Sequence, residues 1–96
     1  VGIEDSGAGG TAGERSVVML LGRAGCSACV AARAALEEVL EPLGLAFEEV
    51  DVDEAAARDP ELREEYGDRV PVVLLNGVEH SYGEVDVDRL RADLVM

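Results

Sequence analysis

Aromatic residues are scarce in this 96-residue chain: Phe47, Tyr66 and Tyr82 are the whole set, and Trp is absent. A core must therefore be assembled from Val, Leu and Ala, which suits a thin sheet covered by helices with small faces. Lys is missing as well. The eight basic residues are all Arg, and they face 21 acidic residues for a formal charge of −13. Such a surface repels phosphate backbones and anionic headgroups, so nucleic acid and membrane surfaces are not expected partners, whereas a basic partner would be steered toward it. No apolar run approaches the roughly 20 residues of a membrane-spanning helix. The first residues lack the basic-then-apolar layout of a secretory signal. Two cysteines exclude a disulfide-dense secreted scaffold, and the expected location is the cytoplasm. What remains is one domain, 48% apolar, with a single core.

Val1 to Arg15 holds five Gly with Ser, Thr and Ala and no apolar periodicity. It reads as a flexible Gly-rich tail, leaving residues 16–96 as the folded domain. Ser16 to Leu21 is a continuous, β-branched apolar run, as expected of a strand buried on both faces. Gly22-Arg23-Ala24-Gly25 is a loop. Cys26 to Leu40 is rich in helix formers, with Cys29, Ala32, Leu36, Val39 and Leu40 on one face, and Pro42 and Gly44 end it. Leu45 to Asp51 reads as a second strand. Asp53 is the expected N-cap of a helix that Asp59-Pro60 interrupts and that continues to Tyr66. Val70 to Leu75 and Val78 to Tyr82 read as strands joined by an Asn76-Gly77 turn. A last helix begins at Asp86 or Val87, with Val87, Leu90, Leu94 and Val95 facing inward. The order β-α-β-α-β-β-α implies an α/β fold with a four-stranded mixed sheet flanked by helices. Its first two strands should be parallel and its last two an antiparallel hairpin.

Chemistry concentrates at Gly25-Cys26-Ser27-Ala28-Cys29, a C-x-x-C at the strand-to-helix junction. Cys26, at the helix start, meets unpaired backbone N–H groups and the positive end of the helix dipole, both of which favour thiolate. Cys29, three residues on, lies within disulfide reach. Cys26 would attack a substrate disulfide, and Cys29 would resolve the mixed disulfide. Arg23 adds positive charge nearby and an anion contact. Three other readings stay open: two structural cysteines in a binding module, a structural zinc site, or a metal or iron–sulfur carrier built between subunits. Zinc needs four ligands and the chain has two Cys and one His, so no metal is assigned. His80 is expected to be an exposed strand residue, Tyr66 to pack at the end of the second helix, and Glu48 to Glu54 to be a solvated acidic stretch. With no exposed apolar stripe in the pattern, a monomer is expected.

The segments Val17 to Cys29, Tyr66 to Val73, Asn76-Gly77 and Gly83 resemble the glutaredoxin branch of the thioredoxin superfamily, most closely its small bacterial glutaredoxin-like proteins. The resemblance spans residues 16–96 and implies a thioredoxin-like fold. It implies a disulfide oxidoreductase with Cys26 and Cys29 as the catalytic pair, no bound cofactor, and glutathione or a reductase as the thiol reductant. Substrates would be protein or small-molecule disulfides. It further implies that Pro71 is cis beside the disulfide, that Val70 offers its backbone to substrate, and that Arg23 and Ser27 complete the substrate-binding set, Arg23 as a glutathione contact. Two departures stand out. Ser27-Ala28 replaces Pro-Tyr between the cysteines, and Gly83-Glu84-Val85-Asp86 replaces a Gly-Gly run followed by Asp.

Overall fold

The computed structural model describes residues 16–94. The strands are β1 (Val18–Gly22), β2 (Phe47–Asp51), β3 (Val72–Leu75) and β4 (Val78–Tyr82). The helices are α1 (Ser27–Leu40), α2 (Val52–Ala55), α3 (Pro60–Tyr66) and α4 (Val87–Leu94), with short 3-10 turns at Glu41–Leu43 and Gly67–Arg69. The Gly-rich segment 1–15 and Val95 lie outside the described residues. The sheet order is β2-β1-β3-β4. β1 runs parallel to β2 and antiparallel to β3, and β3 runs antiparallel to β4. This is the four-stranded mixed sheet that the element pattern implied.

β1 is central, which explains its unbroken apolar composition. Side chains alternate across a strand. Val18 and Leu20 therefore join Ala32, Leu36, Val39 and Leu40 of α1 and Leu90 and Leu94 of α4 on one face. Leu21 joins Val52, Val72 and Leu74 on the other, under Leu62 and Tyr66 of α3. With hardly any aromatics, both layers are packed from Leu, Val and Ala.

Several boundaries move for local reasons. β1 starts at Val18 rather than Ser16, because Asn76 takes over Val17: its Oδ1 accepts from the Val17 N–H at 2.8 Å, and its N–H donates to the Val17 carbonyl at 2.8 Å. β2 starts at Phe47 rather than Leu45, whose N–H is committed to the Leu40 carbonyl at 3.1 Å. β3 starts at Val72 rather than Val70, since Pro71 has no N–H to give a ladder. The cap of α2 is Asp51, not Asp53: Asp51 Oδ1 accepts from the N–H groups of Asp53 at 2.8 Å and Glu54 at 3.1 Å.

His80 departs from expectation more sharply. Ser81 pairs with Val73 and Glu79 with Leu74, so His80 is the extra residue of a β-bulge. A bulge re-aims the side chains around it. The His80 side chain is consequently turned under α4, only 6% exposed, with Nε2 2.7 Å from Asp93 Oδ2. Arg89 closes the same cluster by donating to the His80 carbonyl.

Leu36 is fully buried between α1 and the sheet. Leu36→Ala should destabilise the fold by ~2–5 kcal/mol, read as a lowered denaturant midpoint. A loss under about 1 kcal/mol would mean that the α1 layer is not the main core.

Candidate functional site

The end of β1 delivers the chain into α1 through a four-residue loop. Gly25 takes φ +76°, a left-handed conformation that glycine adopts without steric cost. Cys26 follows in extended geometry as the N-cap of α1. Its carbonyl accepts from the N–H groups of Cys29 at 3.1 Å and Val30 at 3.2 Å, and its Sγ accepts from the Cys29 N–H at 3.0 Å. The sulfur thus occupies the place that a Ser or Asp oxygen takes in an ordinary cap. Cys26 and Cys29 form a disulfide, with Cα atoms 5.2 Å apart. Cys26 is half-buried and Cys29 is 3% exposed. Only the first sulfur is open to an incoming partner.

Gly22 explains how Cys29 fits. A Cβ built on Gly22 would stand 3.2 Å from Cys29 Sγ and 3.3 Å from its Cβ, so a side chain there would crowd the sulfur. One step beyond the paired Leu21 and Val72, Gly22 faces Pro71 across the β1–β3 ladder. Pro71 is fully buried, the Val70–Pro71 peptide is cis, and the Pro71 carbonyl accepts from the Gly83 N–H at 2.8 Å. Val70 is half-buried and extended, and Ser27 is exposed on the first turn of α1 beside Cys26. The ladder therefore brings the cysteine loop, Val70–Pro71 and Gly83 to one end of the sheet.

Arg23 is placed differently from expectation. Its Nε and Nη2 donate to Asp53 Oδ2 and Oδ1 at 3.0 and 2.8 Å, and Nη1 donates to the Gly67 carbonyl at 3.2 Å. Rather than standing as a free positive charge beside the sulfur, it ties the cysteine loop to the start of α2 and to the turn before Val70. The Arg23 hydrogen bond holds the Asp53 carboxyl below the usual aspartate value, and the same pairing pushes Arg23 up. The acidic stretch is also more engaged than a solvated strand end would be. Glu49 binds Arg33 through both oxygens, Asp51 caps α2, and Asp53 holds Arg23. Asp53, Gly67 and Gly22 are site-shaping residues that sequence reasoning missed, since their roles depend on which distant segments adjoin.

Tyr66 and Tyr82 flank a second engaged cation. Arg69 lies 5.4 and 5.6 Å from their ring centroids and donates to both oxygens of Glu79 at 2.8 Å. Burial, together with the charges of Glu65 and Glu79, pushes the Tyr66 hydroxyl up. Among the described residues, no group of three or more His, Cys, Asp or Glu side chains is arranged to hold a metal ion. Among them, too, no helix is long and apolar enough to cross a membrane.

Comparison with known proteins gives a consistent picture. Residues 17–95 match the family described as the glutaredoxin-like domain. The chain is 54% identical over 81 residues to uncharacterized protein Rv0508 of Mycobacterium tuberculosis, covering 83% of this chain and 84% of that one. It matches uncharacterized protein Mb0520 of Mycobacterium bovis equally well. Among solved structures, it is similar to target protein XcR50 from X. campestris, with 32% identity, a TM-score of 0.61 and coverage of 79% of this chain and 92% of that one. It also superposes on a glutaredoxin, grx-1, from Archaeoglobus fulgidus. There the TM-score is 0.54 and coverage is 94% and 99%, with 18% identity, a likeness of fold alone.

Because the Asp53 value is depressed in the folded state, the unfolded chain binds the extra proton as pH falls. The Arg23–Asp53 pair therefore stabilises the fold above about pH 4, and that contribution disappears as pH drops through the Asp53 value. The stability difference between the parent and Asp53→Asn, measured by denaturant unfolding, should be widest near pH 7 and shrink as the pH falls below about 4. A difference independent of pH would contradict the pairing.

Proposed function

The chain belongs to the glutaredoxin-like domain family, and from that premise we propose that it is a thiol–disulfide oxidoreductase reducing protein or small-molecule disulfides through Cys26 and Cys29. The observation that carries this reading is the N-cap position of Cys26, with a backbone N–H aimed at its Sγ and Cys29 joined to it. After reduction, the same N–H and the positive helix end favour a thiolate on Cys26. That thiolate attacks one sulfur of a substrate disulfide, expelling the other as a thiolate and leaving Cys26 in a mixed disulfide. Cys29, deprotonated, then attacks Cys26 Sγ. The second substrate thiolate departs, and the Cys26–Cys29 disulfide carries away the two-electron oxidation. Two thiol equivalents, from glutathione or from a dithiol reductase, restore the pair and leave as a disulfide.

The division of labour follows exposure. Half-buried Cys26 meets the substrate, whereas Cys29, enclosed against Gly22, reacts with its neighbour. Val70, extended just before Pro71, offers a backbone edge on which a substrate segment pairs, with Ser27 lining the other side of Cys26. Arg23 acts in this scheme by fixing the loop rather than by contacting the reacting atoms. Such a cycle needs a reducing compartment, the cytoplasm in this reading, and works as a monomer.

Cys26→Ser should abolish disulfide reduction, with turnover at least a hundredfold below the parent by a coupled thiol assay. Cys29→Ser should accumulate mixed disulfides visible as mass adducts on Cys26. Retention of parental turnover in Cys26→Ser would overturn the proposal.

A further inference from the structure

We propose that this dithiol selects disulfides flanked by cationic groups, such as a half-cystine next to Lys or Arg, and disfavours disulfides carrying carboxylates. The inference rests on the oxidoreductase reading and adds a substrate class to it. Its central observation is that the three arginines at this end of the sheet, Arg23, Arg63 and Arg69, are each paired internally, Arg63 with Asp53 Oδ1 at 3.7 Å. Arg23 is engaged by Asp53 and the Gly67 carbonyl. Arg69 is engaged by Glu79 and the Glu65 carbonyl, with Tyr66 and Tyr82 against its guanidinium. A carboxylate arriving with the substrate would have to displace one of these contacts to find a cation.

The surface beside the sulfurs has the opposite character. A groove of about 400 Å³ runs from Ala28, between the two cysteines, along Ala31 and Ala35 of α1 and under Gly83–Val85. Its floor is formed by alanine side chains, and Glu84 is the one charged residue among its lining. Asp68 stands exposed in the Gly67–Arg69 turn, one residue before Arg69. A lysine or arginine stem laid on the alanines would carry its charge to Glu84, whereas a carboxylate in the same place would be repelled. The exchange chemistry is unchanged: two electrons pass from the Cys26–Cys29 dithiol to the substrate, which leaves as two thiols.

The test uses the full chain, pre-reduced and freed of reductant, with three small disulfides. These are cystamine (dicationic), bis(2-hydroxyethyl) disulfide (neutral) and 3,3′-dithiodipropionate (dianionic). Each rate is divided by that of dithiothreitol with the same disulfide, which removes intrinsic reactivity. The normalised rate should be highest for cystamine and lowest for the dianion, with about a fivefold step per class at low salt, as expected for one near contact of unit charges in water. The spread should contract in 0.5 M salt. Glu84→Gln should lower the cystamine-to-neutral ratio about fivefold. Glu41→Gln, the same charge change just past the far end of α1, about 20 Å along the helix from Cys26, should leave that ratio alone.

Equal normalised rates for the three disulfides, with all of them reduced, would overturn the charge selection and leave the dithiol chemistry standing. An equal fall of the ratio in Glu84→Gln and Glu41→Gln would overturn the groove assignment in favour of net charge. Failure to reduce any of the three would sink the oxidoreductase reading, and this inference with it.

Discussion

The central strand β1 is hydrogen-bonded on both edges and buried on both faces, and every part of the candidate site is referenced to it. Because Leu20 and Leu21 are locked into opposite layers, a slip of one residue would exchange the two core faces. The strand end therefore delivers Gly22 and the cysteine loop to one position. The same ladder carries Pro71 to the opposite side of that end, and β4 returns Gly83 beside it. A reactive cysteine at a helix start is useful only if its helix cannot shift. Here α1 is held by Ala32, Leu36, Val39 and Leu40 against that strand.

A second constraint works at the rim. Three loops meet around the cysteines, and one guanidinium joins them: Arg23 reaches Asp53 after β2 and Gly67 before β3. In a chain this acidic, an unpaired arginine next to the sulfurs would be an obvious anion contact. Engagement by Asp53 converts it into a brace between the cysteine loop, the start of α2 and the turn before Val70.

Much of this was legible in the sequence because it is local. The C-x-x-C between a β-branched run and a helix former run, the Asn76-Gly77 turn, and the inward face from Cys29 to Leu40 each follow from short-range patterning, and the structure contains them. What escaped depends on tertiary register. Asp53 was the expected cap of α2, but Asp51, two residues earlier, reaches the free N–H groups, and Asp53 turns to an arginine 30 positions away. His80 was expected to face solvent, and a single extra residue in β4 turns it inward. Gly22 gave no signal beyond a strand end. Its role shows only once Cys29 packs on it.

The most direct test of the central claim is the equilibrium between the Cys26–Cys29 pair and a graded glutathione redox buffer, read by thiol alkylation and mass. The account predicts a reversible, two-electron transition of this one pair, with a potential between about −180 and −270 mV, within the range of dithiol oxidoreductases. A pair that never closes, or that stays closed far below that range, would contradict it and leave the cysteines a structural role.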